Sequence, residues 1–164
     1  MYRRPVYYIG KRRGIMRDKI KRILESHELL SLATVDKNGF PNVRSVDFAN
    51  DTENESKIYF TTFNGTNKVK ELANNNNVYI VVDKSANTIE ELAQIQYIRG
   101  TGIATKIDSP EEMQLAMGLL MNKYAFLKDL PGDPSMMSLF RIDLKEVNVT
   151  DNSLGFGHVD TFNY

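Results

Sequence analysis

The chain has 164 residues, of which 41% are hydrophobic and 26% are charged, as expected for one globular domain with its own core. Its formal net charge is zero, so the whole molecule carries no electrostatic footprint for nucleic acid. There is no cysteine and there are only two histidines, which excludes disulfides, thiolate chemistry and a histidine-rich metal site.

The first segment, residues 1–13, interleaves arginines and lysines with tyrosines and is predicted to be a basic N-terminal arm. Such an arm can bind single-stranded nucleic acid by stacking and phosphate contact. It can equally pack on a neighbouring subunit or on the surface of its own domain. One short arm is a poor nucleic-acid footprint, so packing is the favoured interpretation. The N-terminus has no signal-peptide core and no apolar run approaches the ~20 residues of a membrane span, so we expect a cytoplasmic protein without a membrane partner.

A helix is predicted over residues 14–28. Its apolar side chains recur at helical spacing and its basic ones occupy the opposite side. The apolar face consists of Met16, Ile20, Ile23 and Leu24. His27 continues this face, which indicates a partly buried structural histidine rather than a catalyst.

A β-hairpin follows the helix. Residues 29–35 are rich in aliphatic side chains, and residues 40–48 form the second predicted strand. The turn between them ends in Asn38-Gly39, a pair suited to the positive φ angles of a tight hairpin. We therefore expect these two strands to be antiparallel neighbours.

Arg44 lies in the second predicted strand on the same side as Val46 and Phe48. A guanidinium on a largely apolar face is costly unless an anion meets it. Taken alone, Arg44 could also be a solvated arginine on an edge strand.

The third predicted strand, residues 57–63, carries Thr61 and Thr62 near its end and leads into a short helix. Thr66 is a suitable N-cap, which places Lys68 in the first helical turn. An anion at that position would be favoured by the helix dipole and by the free backbone N–H groups. Arg44, the two threonines, the helix start and Lys68 are therefore predicted to surround one phosphate, although Lys68 alone could simply be solvated.

The second half of the chain supplies three more predicted strands and two helical segments. The predicted strands are residues 78–82, 94–107 and 139–149, and the helical segments are residues 88–92 and a longer helix that begins after Ser109 and stops at Leu130-Pro131-Gly132. Gly100 and Gly102 inside a strand suggest a bulge or a close backbone approach. Six short strands in this order fit a small antiparallel barrel better than a doubly wound parallel sheet.

Three short motifs carry a family resemblance. They are Arg44-Ser45-Val46, Thr61-Thr62 and Gly65-Thr66-Asn67-Lys68, in this order and at this spacing. Over residues 29–149 the chain resembles the pyridoxamine 5′-phosphate oxidase-like family, the FMN-binding split barrels. The resemblance implies a mainly β fold with flanking helices, built as a six-stranded antiparallel split β-barrel. Residues 1–164 would form this single domain, with a C-terminal tail from residue 151.

The resemblance also implies the cofactor and the residues that bind it. FMN would be held through its phosphate by the motif residues, with the flavin edge against the second strand. The cofactor-binding residues so implied are Arg44, Ser45, Val46, Asp47, Thr61, Thr62, Lys68 and Gln96. Gln96 follows if the glycine of the family's ring-contacting strand is Gly100, whereas Gly102 would place Tyr97 there. No catalytic side chain is identified and no metal is predicted.

By the same resemblance, the chain would be an FMN-dependent oxidoreductase that acts on an unidentified small molecule. It would form a homodimer with flavin at the subunit interface and could take a reduced nicotinamide as its electron donor. A flavin- or haem-binding carrier or sensor without turnover is the main alternative. A deazaflavin in place of FMN and a nucleic-acid-binding barrel are the others.

The C-terminal tail departs from the family pattern. Pyridoxamine-phosphate oxidases end in a basic segment that contains tryptophan, whereas this chain has no tryptophan and no arginine after Arg141. Pyridoxamine-phosphate oxidase activity is therefore not expected. Phe156 and His158 could lie near the flavin, where His158 could exchange a proton, or they could belong to an inert tail.

Overall fold

A computed structural model describes residues 6–129 and 133–164. Its helices are α1 (Val6–Glu25), α2 (Asn67–Asn74), α3 (Ile89–Ala93) and α4 (Pro110–Lys123). Its strands are β1 (Leu29–Val35), β2 (Pro41–Asp47), β3 (Ala49–Asn50), β4 (Lys57–Phe63), β5 (Asn77–Val82), β6 (Gln96–Lys106), β7 (Met137–Asp151) and β8 (Val159–Asn163). None of the described helices is long and apolar enough to cross a bilayer.

The strands form one antiparallel sheet in the order β2-β1-β5-β6-β7-β4-β3, with β8 paired to β7. The sheet encloses an apolar interior to which β1, β2, β4, β5, β6 and β7 all contribute. The predicted hairpin is present, with Leu29 opposite Asp47 and Val35 opposite Pro41. The predicted mainly antiparallel β fold with flanking helices is confirmed.

The predicted strand number of six is wrong, since the described residues contain eight strands. β3 is only two residues long and is separated from β2 by Phe48, so it carries no alternation that a sequence pattern could reveal. β8 lies in the predicted tail and has one buried residue, Phe162, so it pairs with β7 with little apolar signal in the sequence.

The predicted boundary between arm and helix also needs correction. Residues 1–5 lie outside the described residues, and from Val6 onward the chain is helical. The sequence pattern did not predict this part of the helix, because the charged side chains of Arg12 and Arg13 have their partners on the distant strand β8. Arg12 pairs with Asp160 at 3.3 Å, and the Arg13 guanidinium lies 4.7 Å from the centroid of the Phe162 ring. Of the two kinds of packing that were left open, these two residues show packing on the surface of their own domain.

The core fills the inside of the curled sheet and is closed by α1. Ile20, Ile23 and Leu24 of α1 are buried in it, as the predicted apolar face requires. His27 is partly buried as predicted, and its Nδ1 atom lies 2.7 Å from the Ile23 carbonyl oxygen, while its structural role stays a prediction. Helix α4 covers the sheet near β3 and β4 through a second apolar cluster. Helix α4 ends at Lys123. The predicted helix stop at residues 130–132 lies outside the described part of the chain.

Candidate functional site

Arg44 faces the inside of the sheet at the end where helix α2 covers it. Its Nη2 donates to Glu71 Oε2 at 2.8 Å, and its Nη1 donates to the Thr34 hydroxyl. The side chain is 24% exposed, so the guanidinium is largely removed from water. The anion that the apolar face requires is therefore supplied, at least in part, by the chain itself.

Glu71 of helix α2 is the centre of this network. One carboxylate oxygen accepts from the Thr34 hydroxyl at 2.5 Å and from Arg44, and the other accepts from Asn42 Nδ2 at 3.0 Å. Burial of the carboxylate opposes its ionisation, but the hydrogen bonds from Thr34 and Arg44 and the charge of Arg44 outweigh it and lower the pKa of Glu71. Glu71 is therefore an anion at neutral pH.

Lys68 supplies a second cation beside Arg44. Its Nζ donates to the Thr62 hydroxyl at 2.9 Å. Burial lowers the pKa of Lys68, and repulsion from Arg44 lowers it further, while Glu71 opposes the shift. The two positive charges repel each other in a site that is partly removed from water. An anion bound between them would therefore be stabilising.

The start of helix α2 adjoins the two cations. Thr66 occupies the N-cap position as predicted, but its hydroxyl donates to the Phe63 carbonyl at 3.0 Å and caps no backbone N–H. It also lies 3.3 Å from the Thr62 hydroxyl. The N–H groups of the first turn therefore add a favourable dipole for an anion near Lys68. We name Arg44, Thr62, Lys68 and this helix start the phosphate clamp.

The other predicted cofactor-binding residues of β2 and β4 do not join the clamp through their side chains. Side chains alternate along a strand, so Ser45 and Asp47 face the side opposite to Arg44. Thr61 faces the side opposite to Thr62, where its hydroxyl donates to the Ser138 carbonyl at 3.3 Å. Val46 shares the face of Arg44 and is part of the buried core. Contact of these four residues with a cofactor stays a prediction.

Gln96 lies three strands away from Arg44 in the sheet order, and it is also out of register with it, because the residue of β6 level with Arg44 is Gly100. Its side-chain nitrogen donates to Asp151 Oδ2 at 2.9 Å, and the same oxygen pairs with Lys19 Nζ at 2.5 Å. Tyr97 faces the other side of the sheet, beside Arg99. Which of Gln96 and Tyr97 meets a flavin ring stays open.

The C-terminal segment is folded, and its two singled-out residues lie on its surface. Phe156 is 82% exposed in the turn before β8. His158 has its Nε2 atom 3.0 Å from Asp160 Oδ2, and its backbone amide bonds to Gly155. Neither residue shares a hydrogen bond with the clamp of its own chain among the described contacts.

A cavity of about 380 Å³ lies on the opposite side of β4 from the clamp. Most of its lining is sulfur and aliphatic carbon. Its lining residues are Thr61, Phe63, Met113, Met117, Met121, Leu127, Lys128, Asp133, Pro134, Met137 and Leu139. Flexible methionines adapt to flat or irregular apolar molecules, so the cavity can take an apolar ring-sized group.

Sequence analysis missed Thr34, Asn42 and Glu71, although each carries a signal. Thr34 is a polar residue that continues the inward alternation of Leu30 and Leu32, and Asn42 shares the inward face of β2 with Arg44. Glu71 follows Lys68 by three residues, so both lie on one face of α2. Polar residues at inward positions of neighbouring elements indicate a shared network.

The lowered pKa of Lys68 predicts a pH dependence of phosphate binding. Lys68 must be protonated to attract an anion, so affinity for a phosphate monoester should fall as pH rises through this pKa, below the ordinary lysine range. Titration of FMN at neutral pH and at successively higher pH up to the ordinary lysine pKa measures the effect. Lys68→Arg keeps its charge throughout and should flatten the profile, whereas an identical slope in both proteins would contradict the role of Lys68.

A family model described as pyridoxamine 5′-phosphate oxidase matches residues 16–151. No curated protein sequence matches the chain.

Solved structures share the fold at low sequence identity. A haem-binding protein from Mycobacterium smegmatis superposes with a TM-score of 0.74 and 17% identity over 99% of this chain, which spans 60% of that protein. HutZ, the haem storage protein of Vibrio cholerae, gives a TM-score of 0.64 and 19% identity over 78% of this chain and 89% of its own. A protein from Listeria innocua that is provisionally assigned as a pyridoxamine 5′-phosphate oxidase superposes with a TM-score of 0.65 and 17% identity. The match covers 82% of this chain and 97% of that protein.

Proposed function

Because the chain belongs to the pyridoxamine 5′-phosphate oxidase family, we propose that it is an FMN-binding flavoprotein and an oxidoreductase acting on a small molecule. The single observation that supports the cofactor best is the phosphate clamp. Lys68 donates to the Thr62 hydroxyl at the start of helix α2, and the charge of Arg44 is near enough to lower the pKa of Lys68. The proposal includes a cytoplasmic location.

The donor set of the clamp fits a phosphate monoester. Arg44 uses two of its five N–H groups within the chain, through Nη1 and Nη2, which leaves donors for a ligand. Lys68 uses one of three. A guanidinium and an ammonium beside a helix N-terminus suit phosphate oxygens, whereas a ligand without an anionic group would gain nothing from them.

In this proposal the protein binds and orients the flavin. FMN supplies the redox chemistry when bound, because its isoalloxazine ring accepts and donates hydride or electrons. Arg44, Thr62 and Lys68 would hold its phosphate, and β2 would lie along the flavin edge. The methionine-lined cavity on the other side of β4 is our candidate for the apolar part of the substrate. A reduced nicotinamide is the proposed electron donor.

We also propose a homodimer with flavin at the subunit interface. The outer face of the β2-β1-β5 part of the sheet carries apolar side chains that the described residues leave exposed. Leu29, Val43 and Tyr79 on this face are 51%, 66% and 37% exposed. A second subunit on this face would bury them and would bring its own residues towards Ser45 and Asp47.

Comparison of FMN with riboflavin tests the proposal, because the two differ only in the phosphate. We expect FMN to bind at least about tenfold more tightly, which corresponds to one charge-assisted hydrogen bond. Equal affinities, or no binding of either flavin, would contradict it. Steady-state oxidation of a reduced nicotinamide by the FMN-loaded protein then separates an enzyme from a carrier.

Haem is the second candidate ligand, since two of the similar structures are named as haem-binding or haem-storage proteins. His158 favours it: one ring nitrogen contacts Asp160, as is common for metal-bound histidines, and the exposed Phe156 lies two residues away. Titration with haem should then give a Soret band that shifts in His158→Ala. A spectrum that His158→Ala leaves unchanged would remove His158 as a ligand.

A further inference from the structure

Glu71 is an unexpected neighbour for an anion site. Glu71 is only 8% exposed, and its carboxylate contacts the Arg44 guanidinium of the clamp. A buried carboxylate repels an incoming phosphate and offsets one of the two positive charges. The clamp of Arg44 and Lys68 with Glu71 therefore carries a net charge of +1 rather than +2.

The same carboxylate fixes the direction of Arg44. Arg44 donates to Thr34, Thr34 donates to Glu71, and Arg44 also donates directly to Glu71, which forms a closed ring of hydrogen bonds. Asn42, which lies on β2 like Arg44, donates to the other carboxylate oxygen of Glu71. A guanidinium restrained in this way presents its remaining N–H groups in one orientation.

We propose that Glu71 is the specificity-determining residue of the phosphate clamp. It orients Arg44 towards a phosphate monoester that is anchored by the rest of its molecule, and it keeps free inorganic phosphate from occupying the site. This inference rests on the phosphate-binding part of the proposed function. The charge of Glu71 by itself repels the phosphate of both ligands equally, so the discrimination comes from the direction of Arg44. The phosphate of FMN is fixed in place by the rest of the molecule and needs the guanidinium in one direction, whereas inorganic phosphate can follow the guanidinium when Glu71 no longer holds it.

Replacement of the carboxylate by its neutral isostere tests this inference. In Glu71→Gln we expect inorganic phosphate to bind about tenfold more tightly at pH 7, because one negative charge beside the site is gone. FMN affinity should change by less than about threefold, because the gained attraction is offset by the lost orientation of Arg44. Calorimetric titration of each ligand into each protein gives both ratios.

A matched control is available at the other end of the domain. Glu55 is also a buried carboxylate held by an arginine, with Arg17 Nε at 2.6 Å and Nη2 at 3.0 Å. Glu55→Gln should leave both affinities unchanged. Should Glu71→Gln not fold, as judged by circular dichroism, Glu71→Met removes the same charge at similar volume and should give the same phosphate result.

The outcomes separate this inference from the proposed function. Unchanged phosphate affinity in Glu71→Gln, or an equal change for phosphate and FMN, would overturn the role of Glu71 even if the wild-type protein binds FMN. A wild-type protein that binds phosphate but not FMN would remove the flavin, and the phosphate titrations alone would then decide on Glu71. A wild-type protein that binds neither overturns both.

Discussion

Arg44→Ala and Lys68→Ala should each lower the affinity for FMN by about tenfold to a hundredfold. Each variant removes a charge-assisted hydrogen bond to the phosphate, worth about 1.5–3 kcal/mol. Riboflavin has no phosphate, so its affinity should change little, and the ratio of the two affinities is the informative quantity. Fluorescence titration of both flavins into both variants measures it.

Two other side chains serve as matched controls. Lys70 lies in the same helix as Lys68 but is exposed, and Arg17 is paired with Glu55 away from the clamp. Lys70→Ala and Arg17→Ala should retain the preference for FMN. Arg44→Ala also leaves Glu71 without its cation, so its folding must be confirmed by thermal unfolding before its affinity is interpreted. An unchanged FMN preference in both clamp variants would exclude the clamp.

Gly100→Ala should destabilise the fold by about 3 kcal/mol, a fall in melting temperature of about 10 °C for a domain of this size. A Cβ atom at Gly100 would lie 2.4 Å from the Glu146 carbonyl oxygen and 3.2 Å from Val147 Cα. Both obstacles are backbone atoms of β7, the strand paired with β6, so no side-chain rotation can relieve the collision. Calorimetric unfolding of the variant gives the value.

Gly118→Ala is the control for this substitution. Gly118 lies inside helix α4, and an added Cβ would meet nothing within 4 Å. Alanine there should raise stability by about 0.5–1 kcal/mol through better helix propensity. A melting temperature of Gly100→Ala close to that of the wild type would show that β6 and β7 are not packed as described.

Residues with local patterns were predictable from the sequence. The hairpin around Asn38-Gly39 and the N-cap of α4 at Ser109 follow from turn and capping chemistry that acts within a few residues. The close approach predicted for Gly100 and the bulge beside Gly102 are both present. The placement of Arg44, Thr62 and Lys68 at one end of the sheet was also predictable, because strand alternation and a helix start bring them there, whereas their contact with a phosphate stays a prediction.

Residues whose structure depends on distant partners were not predictable. The first turns of α1 carry charges whose partners lie on β8, about 150 positions later, as with Arg13 and Asn163. β8 itself has one buried side chain and is formed by pairing with β7. Glu71 could be placed on the face of Lys68, but its contact with Arg44 depends on how α2 packs over the sheet.

The visible absorption spectrum of freshly purified protein, followed by mass spectrometry of the released ligand, tests the flavin proposal most directly. We predict flavin bands near ~450 nm, as isoalloxazine cofactors show, and a released mass equal to that of FMN. A deazaflavin or haem would be recognised by its own mass and spectrum. A colourless protein that also fails to take up added FMN would contradict the proposal.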